Sequence, residues 1–85
     1  MEFAVGMVVI PKAGHDAGRY HVIVALEGSA AYLADGRRRK VAAPKRKNLR
    51  HLSRTGIILP LSELETDRKI RAALWPYQYG GVDAK

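Results

Sequence analysis

Apolar residues fall in short, β-branched runs through the first two-thirds of the chain and at helical spacing only near its end. Residues 7–12 (MVVIPK) form the first run, and Pro11 marks its end as a strand margin or an edge, because proline cannot donate to a ladder. Gly14-His15-Asp16-Ala17-Gly18 is turn chemistry: two glycines reach positive φ, and an aspartate can bond its own backbone. Residues 20–27 (YHVIVALE) predict a strand, Gly28-Ser29 a turn, and residues 30–35 a further strand. Asp35-Gly36 is a hairpin dipeptide. The next strand is expected over residues 37–42, broken by Pro44, and the last over residues 47–52. Short strands at this spacing predict a mainly β small barrel or sandwich, with Val8, Ile10, Val22, Val24, Leu33 and Leu49 as its core.

The pattern then changes. Ser62-Glu63-Leu64-Glu65 reads as a capping box opening a C-terminal α-helix. Glu63, Glu65 and Asp67 lie where the helix dipole favours negative charge, and Lys69 and Arg71 follow. Leu64, Ile70, Leu74 and Trp75 supply the apolar face, with Trp75 expected as a core anchor. Pro76 predicts an end near Leu74 or Trp75. The expected organisation is a barrel over residues 1–56, a helical extension over 57–76 and a flexible tail over 77–85.

With 85 residues there is room for one domain, and with no cysteine there is no disulfide, cysteine-based zinc site or thiol nucleophile. A reducing, cytoplasmic setting fits. The start Met1-Glu2-Phe3 lacks a basic region and an apolar stretch, so no secretory signal is expected. The apolar runs are far shorter than the ~20 residues of a spanning helix, so no membrane partner is expected. Charge changes the picture most. The chain carries +7, and nine of its basic residues lie within residues 36–62, where there is no acid. The remainder carries −2, so one segment holds the whole excess. Interrupted by Val41, Leu49 and Leu52, that segment reads as a patch anchored to a fold rather than as a loose charged loop.

Enzymatic readings find little. His15, His21 and His51 show no metal-ligand spacing, and His21 reads as a partly exposed strand residue. Ser29, Ser53 and Ser62 sit in turns or caps, outside any nucleophile elbow. Gly14 and Gly18 are followed by Arg19-Tyr20 rather than by the Lys-Ser/Thr of a phosphate loop. No catalysis, cofactor, metal or small-molecule substrate is expected. A nucleic acid suits the charge better. Arg37, Arg38, Arg39, Lys40, Lys45, Arg46, Lys47 and Arg50 are phosphate ligands by type, and the predominance of arginine, which pairs bidentately with phosphate and stacks on bases, favours RNA. Five or six such contacts would give a slope of log affinity against log salt of roughly −4 to −5. Asn48 and His51 could reach bases or ribose hydroxyls, and Asn48 reads equally as a turn residue. His15 and Asp16 read by themselves as part of a solvated turn.

Val5-Gly6-Met7-Val8-Val9-Ile10, then Gly14-x-Asp16-x-Gly18-Arg19, then Val22-Ile23-Val24, resembles a KOW motif: strand, glycine-rich turn, strand. Asp35-Gly36 with Lys45-Arg46-Lys47-Asn48-Leu49-Arg50-His51-Leu52 is similar to the e-type fourteenth protein of the archaeal and eukaryotic large ribosomal subunit. Together these segments span about 60% of the chain. The resemblance implies an SH3-like barrel of about five strands that binds ribosomal RNA, with ribosomal proteins as further partners. It implies RNA contacts from Gly14, His15, Asp16, Gly18 and Arg19 as well as from the basic segment, the glycines letting backbone approach phosphate. Rival readings are a protein-interaction module, since such barrels host unrelated functions, a transcription-elongation-type binder, a duplex-DNA binder, and a nuclear-targeting signal at Pro44-Lys45-Arg46-Lys47.

Overall fold

A β-strand alternates its side chains between two faces, and in this chain both faces of the central strands are apolar. The computed structural model describes residues 3–80. Its strands are β1 (Met7–Pro11), β2 (His21–Glu27), β3 (Ala30–Ala34), β4 (Lys45–Asn48) and β5 (Leu52–Ile58), all antiparallel to their neighbours in the order β4-β3-β2-β1-β5. A 3-10 turn, Leu49–His51, separates β4 from β5, and a second, Leu61–Leu64, precedes helix α1 (Asp67–Gln78). The fold is therefore mainly β, a small five-stranded antiparallel sheet with one C-terminal helix, consistent with the small barrel that the strand spacing predicts.

Two apolar clusters divide the interior. Met7, Val9, Ile23, Ala31, Leu33 and Leu52 fill one face of the sheet. Val8, Val22 and Ala34 project from the other, where Leu64, Ile70 and Leu74 cover them. The expected barrel core thus had the wrong parity in part. Val8 and Val22 are fully buried, but under the helix; Val24 packs there too, half-buried, and Ile10 is half-buried. Leu33 does belong to the first cluster, with Leu49 packed at its margin. A run buried on both sides, such as MVVI, gives no alternation from which parity could be read.

The helix differs from expectation at both ends. Thr66 caps it, its hydroxyl accepting from the Lys69 N–H at 3.1 Å, while Ser62 lies exposed in the preceding 3-10 turn. At 100° per residue, one continuous helix would set Leu64 about 120° away from Ile70. Breaking the helix before Thr66 lets Leu64, Ile70 and Leu74 enter the same cluster. The same arithmetic places Trp75 about 140° from Ile70, and Trp75 is 51% exposed rather than a core anchor. At the other end the helix runs through Pro76 to Gln78. Proline's φ is itself helical, and only the bond to Ala72 is lost. Tertiary contacts hold the final turn: Gln78 Oε1 accepts from the Tyr20 N–H at 2.7 Å, and the Tyr77 ring lies 6.1 Å from that of Tyr20. Tyr77 and Gln78, expected in a flexible tail, are thus helical, while residues 81–85 of that tail lie outside the described residues.

Residues 37–42 do not form the expected strand. Asp35 gathers them into a compact loop instead. Its Oδ1 accepts from the N–H groups of Arg37 and Arg39, both at 2.9 Å, and its own N–H donates to the Arg39 carbonyl at 2.9 Å. The helix clamps this loop from outside: Asp67 Oδ1 accepts from the Val41 N–H at 2.7 Å, and Arg71 Nη1 donates to the Gly36 carbonyl at 2.7 Å. Gly36 has φ +78°, and a Cβ there would meet the Asp67 carbonyl and the Arg71 side chain. Gly36→Ala is accordingly expected to cost about 1–3 kcal/mol from backbone strain alone, read as a lowered urea midpoint. An unchanged midpoint would contradict the clamp.

Candidate nucleic-acid interface

The β1–β2 loop folds back on its own strand. The Gly18 N–H donates to the Pro11 carbonyl at 3.0 Å and the Arg19 N–H to that of Asp16 at 3.2 Å. This curl turns Asp16 inward, where it is 2% exposed, in contrast to the solvated turn expected for it. There its Oδ2 accepts from Arg39 Nε at 2.8 Å. Burial pushes the Asp16 carboxyl up, but the Arg39 hydrogen bond and the charges of His21, Arg39 and Arg38 outweigh it and hold the group below its ordinary value.

His21 is fully buried beside this pair, not partly exposed as its strand position had implied. It pairs with Val9 across the ladder, so its side chain enters the sheet's inner face. Its Nδ1 lies 2.9 Å from the Arg19 carbonyl, which can only accept, so Nδ1 carries the proton. Its Nε2 faces Asp16 Oδ1 at 4.0 Å and Asp35 Oδ2 at 3.9 Å. One polar knot thereby ties the loop after β1 to the loop after β3.

A second tie comes from β4. Lys47 pairs with buried Ala31, and its Nζ reaches across to donate to the Ala13 carbonyl at 3.1 Å. Gly14, at φ +86°, makes room for it, since a Cβ there would stand 2.9 Å from that nitrogen. The two segments singled out in the sequence are therefore neighbours in space. Among their residues Gly14, His15, Gly18, Arg37, Arg38, Lys40, Lys45, Arg46, Arg50 and His51 are exposed, and Arg19, Arg39, Lys47 and Asn48 are half-buried. Asp16 has no access to a ligand; its work is to fix Arg39. Asn48 caps the 3-10 turn, its side-chain oxygen accepting from the Arg50 N–H at 3.0 Å, so the turn reading describes it.

The sequence reading missed a shallow groove of about 470 Å³ beside β5, where Lys12, Arg50 and Arg54 surround Phe3, Leu49 and Leu52. The Arg54 guanidinium stands 5.9 Å from the Phe3 ring centre. Lys12 gave a usable signal, since it directly precedes the glycine loop. Phe3 gave none. Among the described residues no cluster of His, Asp and Glu is placed to hold a metal ion, and no helix is long and apolar enough to cross a membrane. No protein-family model matches the chain, and no curated protein is significantly similar to it.

Proposed function

We propose that this chain is a non-catalytic RNA-binding protein, ribosomal or ribosome-associated, acting in translation in the cytoplasm. One observation carries the reading: Arg39 on Asp16 and Lys47 on Ala13 join two segments far apart in sequence into a single cationic surface. Phosphates would lie along Arg37, Arg38, Lys40, Lys45 and Arg50, exposed on the loop, on β4 and on the turn after it, while Arg46, paired with Tyr32, projects from the face of β4 opposite to Lys45 and Lys47. Recognition would rest on backbone charge and shape, because few side chains here present paired donors and acceptors to base edges. The KOW resemblance, seen in the glycine loop between β1 and β2, points to ribosomal RNA as the target.

The test is competition between an RNA hairpin and duplex DNA of equal length, over a range of salt. The hairpin should win, with a salt slope of roughly −4 to −5. Preference for the duplex, or a slope near zero, would reject the reading. Partners captured from a lysate should be lost on nuclease treatment; partners that persist favour a protein-interaction module. Crosslinking in cells should recover ribosomal RNA at one locus.

A further inference from the structure

An exposed tryptophan on a small domain is a feature to be explained, and here it does not stand alone. Trp75 and Tyr79 are one helical turn apart, 51% and 49% exposed, with ring centres 4.6 Å apart. Arg37, from the basic loop, holds its guanidinium 5.8 Å from the Trp75 centre and 5.6 Å from that of Tyr79. Arg19, from the glycine loop, donates to the Tyr79 hydroxyl at 2.9 Å. Both loops of the cationic surface thus reach one aromatic pair. Among the described residues lining the recess beside the pair, Asp35 is the one acid, and its Oδ1 is already committed to two backbone N–H groups.

We infer that Trp75 and Tyr79 form a stacking platform for an unpaired RNA base, with Arg37 and Arg19 holding its flanking phosphate. The inference rests on the RNA-binding reading and adds the class of RNA: a single-stranded loop or end rather than a continuous duplex. An aromatic face gains most from a flat π-system, and cations beside it select one attached to an anion. The recess between the rings and the arginines holds about 20 Å³, too little for a base, and the two rings are inclined at 46°, so the base lies flat on the exposed face of one ring and against the edge of the other. A base sandwiched under Arg37 would need two layers of about 3.5 Å, close to 7 Å in all. Arg37 is exposed, and a shift of about 1 Å from its present position opens that slot.

Trp75 is the sole tryptophan, so its fluorescence reports on the platform directly. The full chain is titrated with end-labelled oligouridine, with an RNA duplex of equal phosphate number and with inorganic polyphosphate; anisotropy or displacement of label measures binding independently. Oligouridine should quench Trp75 as it binds, and polyphosphate should bind with little quenching. Trp75→Leu and Tyr79→Leu should each weaken oligouridine about tenfold and leave polyphosphate within about twofold, since stacking makes no contact with a bare phosphate chain. Oligouridine binding without quenching, equal quenching by polyphosphate, or unchanged affinity in both variants overturns the platform while leaving the cationic surface standing. Failure of every RNA to bind overturns both. Should either variant lose its circular-dichroism spectrum, quenching in the unaltered protein decides.

Discussion

Replacing Arg38, Lys45 and Arg50 together with glutamine leaves the fold intact and weakens RNA binding about a hundredfold near physiological salt. All three side chains are exposed and make no hydrogen bond or ion pair within the described residues. Glutamine keeps the aliphatic stem and removes only the charge, taking the net charge from +7 to +4. The thermal midpoint should therefore stay close to its original value, because reduced self-repulsion offsets the small share of Asp16 stabilisation that the Arg38 charge supplies. Three lost phosphate contacts remove about three released counterions, so the salt slope should become shallower by about 2 to 3. The slope is the sharper readout, because a loss of affinity through misfolding would not change it by a set amount. An unchanged slope would mean that these charges face solvent rather than phosphate. The loss should also be similar for every RNA tested, since phosphate contacts carry no sequence information.

How much of this surface was legible in the sequence follows from what each signal measures. Charge is additive along the chain, so the basic segment and its acid-free span stood out at once. Turn chemistry is local, and Gly14, Gly18 and Gly36 all have positive φ. Tertiary choices were less visible. The Arg37–Ala42 stretch was expected as a strand after an Asp-Gly turn, yet Asp35 spends its carboxylate on the loop's own N–H groups and the helix takes up Val41 and Gly36 from outside. A partner 26 residues away leaves no mark on local pattern. Asp16 looked like a solvent-facing turn residue because its counter-ion lies 23 positions on. Trp75 was placed with Leu64, Ile70 and Leu74 on one broad apolar face of the helix, although its angle of about 140° from Ile70 about the helix axis opposed that.

The knot beneath the surface gives the second large effect. Arg39→Ala should destabilise the fold by about 2–3 kcal/mol, below the full cost of breaking a buried ion pair because Arg39 keeps some contact with water. The variant strands the Asp16 carboxylate, 2% exposed, among groups that no longer neutralise it. The chain's escape is to let residues 14–19 peel away, so RNA affinity should fall by more than one charge's worth. The pH dependence has a definite sign. Asp16 is held below its ordinary value of 3.8 in the folded protein. Its contribution to stability is therefore complete above that pH and is lost as pH falls through the lower, folded value. Without Arg39 the largest lowering influence on the group is gone, while burial, which pushes it up, remains against only the charges of His21 and Arg38. The stability gap between the two proteins, measured by urea unfolding, should thus be widest at neutral pH and narrow as pH falls below the ordinary carboxyl value of 3.8. Arg39→Lys restores charge without the Nε–H geometry and should recover only part of the loss. Pairing Arg39→Ala with Asp16→Asn removes the stranded charge, so the double variant should be no less stable than Arg39→Ala alone. If instead the two losses add, the residues are not coupled, and the two loops are held together by something other than this pair.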